Sequence, residues 1–189
     1  TKTRADAQHP ARLYTGDLNH NGGSECVAVY YKSDGNAYPF NLLGDMVAQM
    51  PWMKKRFLYF RNYAGLPVEK VFTREELAAT TQLEVRQTQS CVFINRGDKG
   101  FDMEALPQRV QFAPVYAALV SDLDGDGKQD LFMAGDLFGL KPETGRYDAG
   151  YGFTLLSKEE GGYEYLAPAR SGLFVPGEVR DIVSIRTVK

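Results

Sequence analysis

Several residue types that build chemistry are scarce in this 189-residue chain. It has two histidines, His9 and His20, and neither belongs to a ligand-spaced pair such as H-x-x-x-H, so a zinc site finds no support. It has two cysteines, Cys26 and Cys91, too few for a disulfide framework; buried free thiols are the expectation. No charge of one sign dominates: the formal net charge is −2, which argues against binding nucleic acid or membrane surfaces by bulk charge. No apolar run approaches the roughly 20 residues that cross a bilayer. The opening TKTRADAQHP lacks both a Met and a charged-then-apolar leader, the pattern expected of a processed chain or a piece of a longer one. A G-x-S-x-G elbow and a phosphate-binding P-loop are missing too.

What the chain does have is glycine (19), tyrosine (11) and phenylalanine (11), a balance that favours turns and strands over a helical bundle. Two segments share one layout. ARLYTGDLNHNGGSECVAVYYKSDG and APVYAALVSDLDGDGKQDLFMAGD each run from an apolar, aromatic stretch through an acidic, Gly-rich loop into a second apolar stretch, which reads as strand–loop–strand. Each is followed by a hairpin pattern, QSCVFINRGDKGFDMEAL and YGFTLLSKEEGGYEYLAP, with turn glycines between alternating runs. Each copy therefore predicts four strands in up-down order, and GEVRDIVSIR reads as the start of a third.

The copies lie 105 positions apart from Asp17 to Asp122, too far for one four-stranded unit, and residues 41–84 supply the excess. Leu42, Leu43, Met46, Val47 and Met50 share a helix face, with Asn41 placed to cap and Pro51 to stop it. A second helical stretch is expected from Trp52 to about Tyr63, and Thr73 with Glu76 forms a capping box that starts a third. Removing this helical insertion leaves a repeat of about 60 residues, the scale of four-stranded repeat units.

The second acidic loop places Asp122, Asp124, Asp126 and Asp130 at positions 1, 3, 5 and 9, with Lys128 at 7 able to offer its backbone carbonyl. Oxygen ligands at this spacing suit a hard cation such as Ca2+. The loop is not an EF-hand, because position 12 is Met133 rather than Glu and the flanks read as strands. A bare turn would not require four carboxylates, and acid–base catalysis draws its groups from several elements around a cleft. The first loop dilutes the pattern: Asp17, Asn19 and Asn21 at 1, 3 and 5, Gly23 at 7 by its carbonyl, and Glu25 at 9. Less charge predicts weaker binding there, or a former site kept as a turn.

D-x-D-G-D-G-x-x-D leading into an apolar strand resembles the calcium loop of FG-GAP repeats, also called VCBS repeats. Those repeats build β-propeller blades in integrin α chains and in bacterial exported proteins, some of which carry an ASPIC-type domain. Ala134-Gly135-Asp136 stands where the family has Gly-Ala-Pro, so the namesake tripeptide is missing. The resemblance covers the two repeats and not residues 41–84. It implies a mainly β chain of four-stranded antiparallel propeller-type blades: blade 1 over about 10–110 with the helical insertion 41–84, blade 2 over about 111–172, and the start of a further blade at 173–189. Closure of a propeller takes several blades, so further blades of a longer chain are an expected partner.

Two other stretches carry candidate chemistry. WMKKRFLYFRNY interleaves aromatic and basic residues, a pattern that stacks on bases, but the chain is acidic overall and the stretch reads as helix; contact with protein or glycan is preferred to nucleic acid. Arg146, Tyr147 and Asp148 could bind a sugar or peptide, or tie down a long loop. Together these readings predict a calcium-stabilised repeat segment of a bacterial exported protein, extracellular, periplasmic or on the cell surface, without enzymatic activity. Its expected role is adhesion or protein or carbohydrate binding. The alternatives are part of a polysaccharide-acting propeller enzyme and a purely structural scaffold.

Overall fold

The structure, a computed structural model, describes residues 5–187. It is mainly β, with antiparallel sheets and short helices, and divides into two compact units, residues 1–88 and 89–189. No helix among the described residues is long and apolar enough to cross a membrane.

In the first unit, β1 (Ala11–Gly16), β2 (Glu25–Tyr31) and β3 (Ala37–Pro39) are followed by five short helices, and then by β4 (Thr81–Val85). The sheet order is β3-β2-β1-β4, all antiparallel. β2 alternates strictly at its start: Glu25, Val27 and Val29 point inward while Cys26 faces out, the period of a sheet covered on one side. The helices supply the cover. α1 (Leu43–Gln49), α2 (Met53–Arg56), α3 (Phe60–Tyr63), α4 (Val68–Val71) and α5 (Arg74–Ala78) bury Met46, Met50, Met53, Val68, Val71 and Phe72. Three unbranched methionines fill a seam between elements too short to present regular ridges.

This unit departs from the sequence expectation in three places. The stretch from Trp52 to Tyr63 is two single-turn helices, because Phe57 leaves the helical conformation and Tyr59 is extended between them. Asn41 does not cap α1; Leu42 holds that position, and the Asn41 side chain accepts the Ala28 N–H instead. The insertion also ends in a strand. β4 pairs with β1 in a register that sets Arg12 opposite Glu84, and their side chains meet at 2.9 Å. The predicted cap of the last helix is as expected: Thr73 Oγ1 accepts the Glu76 N–H, and the Glu76 carboxylate accepts the Thr73 N–H at 2.6 Å.

In the second unit, β5 (Cys91–Asn95) and β6 (Phe101–Ala105) form the expected hairpin, but as a separate two-stranded sheet. They are not strands three and four of the first sheet: the place beside β2 is held by β3, and β4 adds a strand on the far side of β1. The second repeat follows the expected up-down order. β7 (Val115–Ser121), β8 (Asp130–Gly135), β9 (Phe153–Ser157) and β10 (Tyr163–Leu166) form one antiparallel sheet with neighbours in chain order. β8 is buried along its whole length, as a near-continuous apolar strand in mid-sheet should be. Leu131, Met133, Phe153 and Leu155 pack there with Leu106 and Val110. After α6 (Pro168–Ser171), residues 173–187 form no strand, although Val179 N–H donates to the Gly135 carbonyl at 2.7 Å; residues 188 and 189 of the expected further blade lie outside the described residues.

Candidate metal centre

The turn from β7 into β8 is built from side chains that accept backbone N–H groups. Asp122 opens it, taking Gly125 N–H at 2.7 Å and Gly127 N–H at 3.0 Å on its two oxygens. Asp124 accepts from Asp126 N–H, and Asp126 from Lys128 N–H. Gly125 and Gly127 sit at φ 85° and 84°, which lets the chain curl around the Asp122 carboxylate. Asp130, 1% exposed, closes the loop. One of its oxygens accepts Leu123 N–H, and the other accepts Ser157 N–H at 2.8 Å and lies 3.2 Å from the Ser157 hydroxyl. A carboxylate at the start of β8 thus binds its own loop and the end of β9.

Asp122, Asp124 and Asp130 each offer a carboxylate oxygen within 4.8 Å of the others. Asp126 stands apart from that group. Its second oxygen pairs with Lys128 Nζ at 3.0 Å, and the Lys128 backbone and side-chain bonds hold its pKa below the ordinary carboxylate value. Three hard oxygen donors at this separation fit a cation of the calcium type, whose flexible cages accept carboxylates, carbonyls and water together.

The first loop repeats part of this wiring. Asp17 accepts Asn21 and Gly22 N–H groups, both at 2.9 Å, and these bonds lower its pKa. Asn21 accepts Gly23 N–H, as Asp126 accepts Lys128 N–H. Glu25, 5% exposed, accepts Leu18 N–H as Asp130 accepts Leu123 N–H. His20 stands where Gly125 stands and takes φ 57°, a left-handed conformation that His adopts more readily than most side chains. The difference lies at Asn19, whose amide nitrogen donates to Glu25 Oε1 at 2.8 Å and to the Gln49 carbonyl at 3.1 Å. Its own oxygen is buried with no hydrogen-bond partner. An amide here occupies Glu25 from within the loop, where a carboxylate would repel it. The backbone cradle is kept while the anionic charge is reduced.

Arg146, Tyr147 and Asp148 are all exposed on the loop after β8. Tyr147 exchanges two backbone hydrogen bonds with Leu137, and the Arg146 guanidinium lies 5.2 Å from the Phe138 ring centre. Both cysteines are free; Cys26 is exposed rather than buried, and Cys91 is half-buried.

Sequence reasoning missed two polar residues. Ser157 could not be connected with Asp130 without knowing that β9 pairs with β8. Asp136, noticed only as the loss of a family tripeptide, is 2% exposed and sits at φ 67° just past β8. It accepts Gly150 N–H at 3.1 Å, and burial raises its pKa despite that bond. Gly135 before it admits no side chain, since a Cβ would come 1.9 Å from the Pro114 carbonyl oxygen. Comparison with family models, with curated proteins and with solved structures finds no match to this chain.

Proposed function

We propose that the chain is a calcium-stabilised, propeller-type repeat segment of an exported bacterial protein, and that it works by binding rather than by catalysis. The observation that carries this reading is the convergence of Asp122, Asp124 and Asp130 at one turn, wired like its neutral-leaning counterpart at Asp17–Glu25. Two loops that share three backbone bonds, each joining the first two strands of a four-stranded antiparallel sheet, support the resemblance to FG-GAP or VCBS blades. Calcium at the second loop would offset repulsion among its carboxylates and hold β7 to β8. The ion is structural in this reading. The exposed Arg146, Tyr147 and Asp148 are the proposed contact for a protein or carbohydrate ligand, with adhesion as the function served.

Calcium that binds only the folded chain stabilises it by about 2.7 kcal/mol when free ion is roughly a hundredfold above its dissociation constant. Thermal melting with and without a chelator, together with calorimetric titration, tests this. The expected result is a calcium-dependent rise in Tm that Asp124→Ala abolishes. An unchanged Tm with no heat of binding would overturn the calcium reading.

A further inference from the structure

The segment joining α2 to α3 is apolar yet faces water. Phe57 and Tyr63, 8% and 6% exposed, anchor its two ends in the first unit's core, with their rings edge to face at 5.6 Å. The Tyr63 hydroxyl also donates to the Asn41 carbonyl at 2.6 Å, fixing the base of this bracket. Between the anchors, Leu58, Tyr59 and Phe60 are 75%, 59% and 55% exposed. Three consecutive large apolar side chains in water have no role in the fold, and such runs mark contact surfaces.

The charges that flank the tip along the chain are of one sign. Lys54 and Lys55 precede it and Arg61 follows, all exposed, with the Arg61 guanidinium 5.0 Å from the Tyr59 ring centre. Arg56 is engaged otherwise, 3.5 Å from the Glu76 carboxylate and beside the Trp52 ring. No Asp or Glu occurs from Val47 to Val68, although the whole chain is net negative. This element presents apolar bulk framed by cations.

We propose that Leu58–Phe60 is a membrane-docking tip that seats on an anionic lipid surface. Leu58 and Phe60 enter the boundary between headgroups and acyl chains. Tyr59 keeps its hydroxyl at the interface, and Lys54, Lys55 and Arg61 meet the headgroup phosphates. Lipid is favoured over an acidic protein because side chains this exposed stand proud of the surface. A bilayer receives such a tip directly, whereas a protein partner would need a pocket shaped to it. This inference is independent of the calcium reading.

The test is sedimentation of the full chain with vesicles of phosphatidylcholine, alone or mixed with phosphatidylglycerol. Binding is expected to the mixed vesicles only, and to weaken as salt rises. Leu58→Ser with Phe60→Ser, or Lys54→Gln with Lys55→Gln, should each reduce it by about tenfold or more, leaving circular dichroism unchanged because these side chains are exposed. A Leu58→Trp reporter should shift its emission to the blue on the mixed vesicles. Failure to bind the mixed vesicles, equal binding to both kinds, or binding indifferent to the substitutions overturns the proposal. Binding to immobilised poly-glutamate that depends on Leu58 and Phe60, with no binding to the mixed vesicles, would overturn it in favour of an acidic protein partner.

Discussion

Asp136 combines features that oppose one another. A carboxylate 2% exposed is costly in its charged form, and a positive φ is costly for a residue with a Cβ, yet Asp tolerates that conformation better than most. The segment 178–180 holds the position in place: Val179 N–H binds the Gly135 carbonyl, and Arg180 Nη1 donates to the Asp136 carbonyl at 3.0 Å while lying over the Tyr116 ring. The backbone is satisfied while the side chain has one bond to Gly150 and acidic neighbours in Asp148 and Glu178. Burial first, and those two neighbours, raise its pKa above the ordinary 3.8. The folded chain therefore takes up a proton at a pH where the unfolded chain is still ionised. Stability contributed by this group rises as pH falls from neutral through the raised value, and levels off near 3.8. Urea unfolding of Asp136→Asn should show this slope removed and stability at neutral pH kept or increased. Asp136→Ala loses the Gly150 bond and should cost about 1–2 kcal/mol. A wild-type stability that falls as pH drops over that window, and does so equally in Asp136→Asn, would count against this account.

At the scale of elements, the sequence was readable wherever one local rule decided the outcome. Thr73 and Glu76 sit three apart, and the reciprocal bonds they predict are present. Thr73→Ala should lower stability by about 1 kcal/mol in chemical denaturation, with Thr73→Ser restoring most of it. The acidic loops and the turn glycines were legible for the same reason, since a positive φ or an Asx-type bond is set within a few residues. Pairing between distant segments was not legible. Nothing in TQLEV says that it will line β1, because its ladder partner lies far away in the chain, with Arg12 and Glu84 meeting across 72 positions. The place beside β2, which the 91–105 hairpin would take to complete the first sheet, is filled by β3. Within the metal loop, spacing grouped Asp126 with its neighbours, but a lysine two residues on competes for it. Spacing records where a carboxylate starts along the chain and not which cation claims it.

Across the whole molecule, each unit encloses its own hydrophobic cluster, one built on methionines and helices, the other on β8 and β9. The two acidic loops are divided between these units, and only the second gathers three carboxylates among the described residues. A cation acting there should be felt in a defined set of amides. Asp130 joins Leu123 in the loop to Ser157 at the end of β9, and Asp122 holds Gly125 and Gly127. Hydrogen exchange of the full chain, with calcium and with chelator, should therefore show calcium-dependent slowing at the Leu123, Gly125, Gly127 and Ser157 amides. Along β7 and β8 the slowing should spread through the ladder that Ser121 and Asp130 begin. The Leu18, Asn21 and Gly22 amides of the first loop have the same hydrogen-bond partners in kind. They should respond less, because Asn19 occupies Glu25 from inside the loop and leaves less anionic charge. Replacing Asn19 by Asp would put a carboxylate against Glu25, so protection at the first loop should fall under chelation and return when calcium is added. Equal slowing in both units of the unaltered chain would mean that charge does not distinguish the loops; slowing in neither would remove the cation from the account of how β7 and β8 are held together.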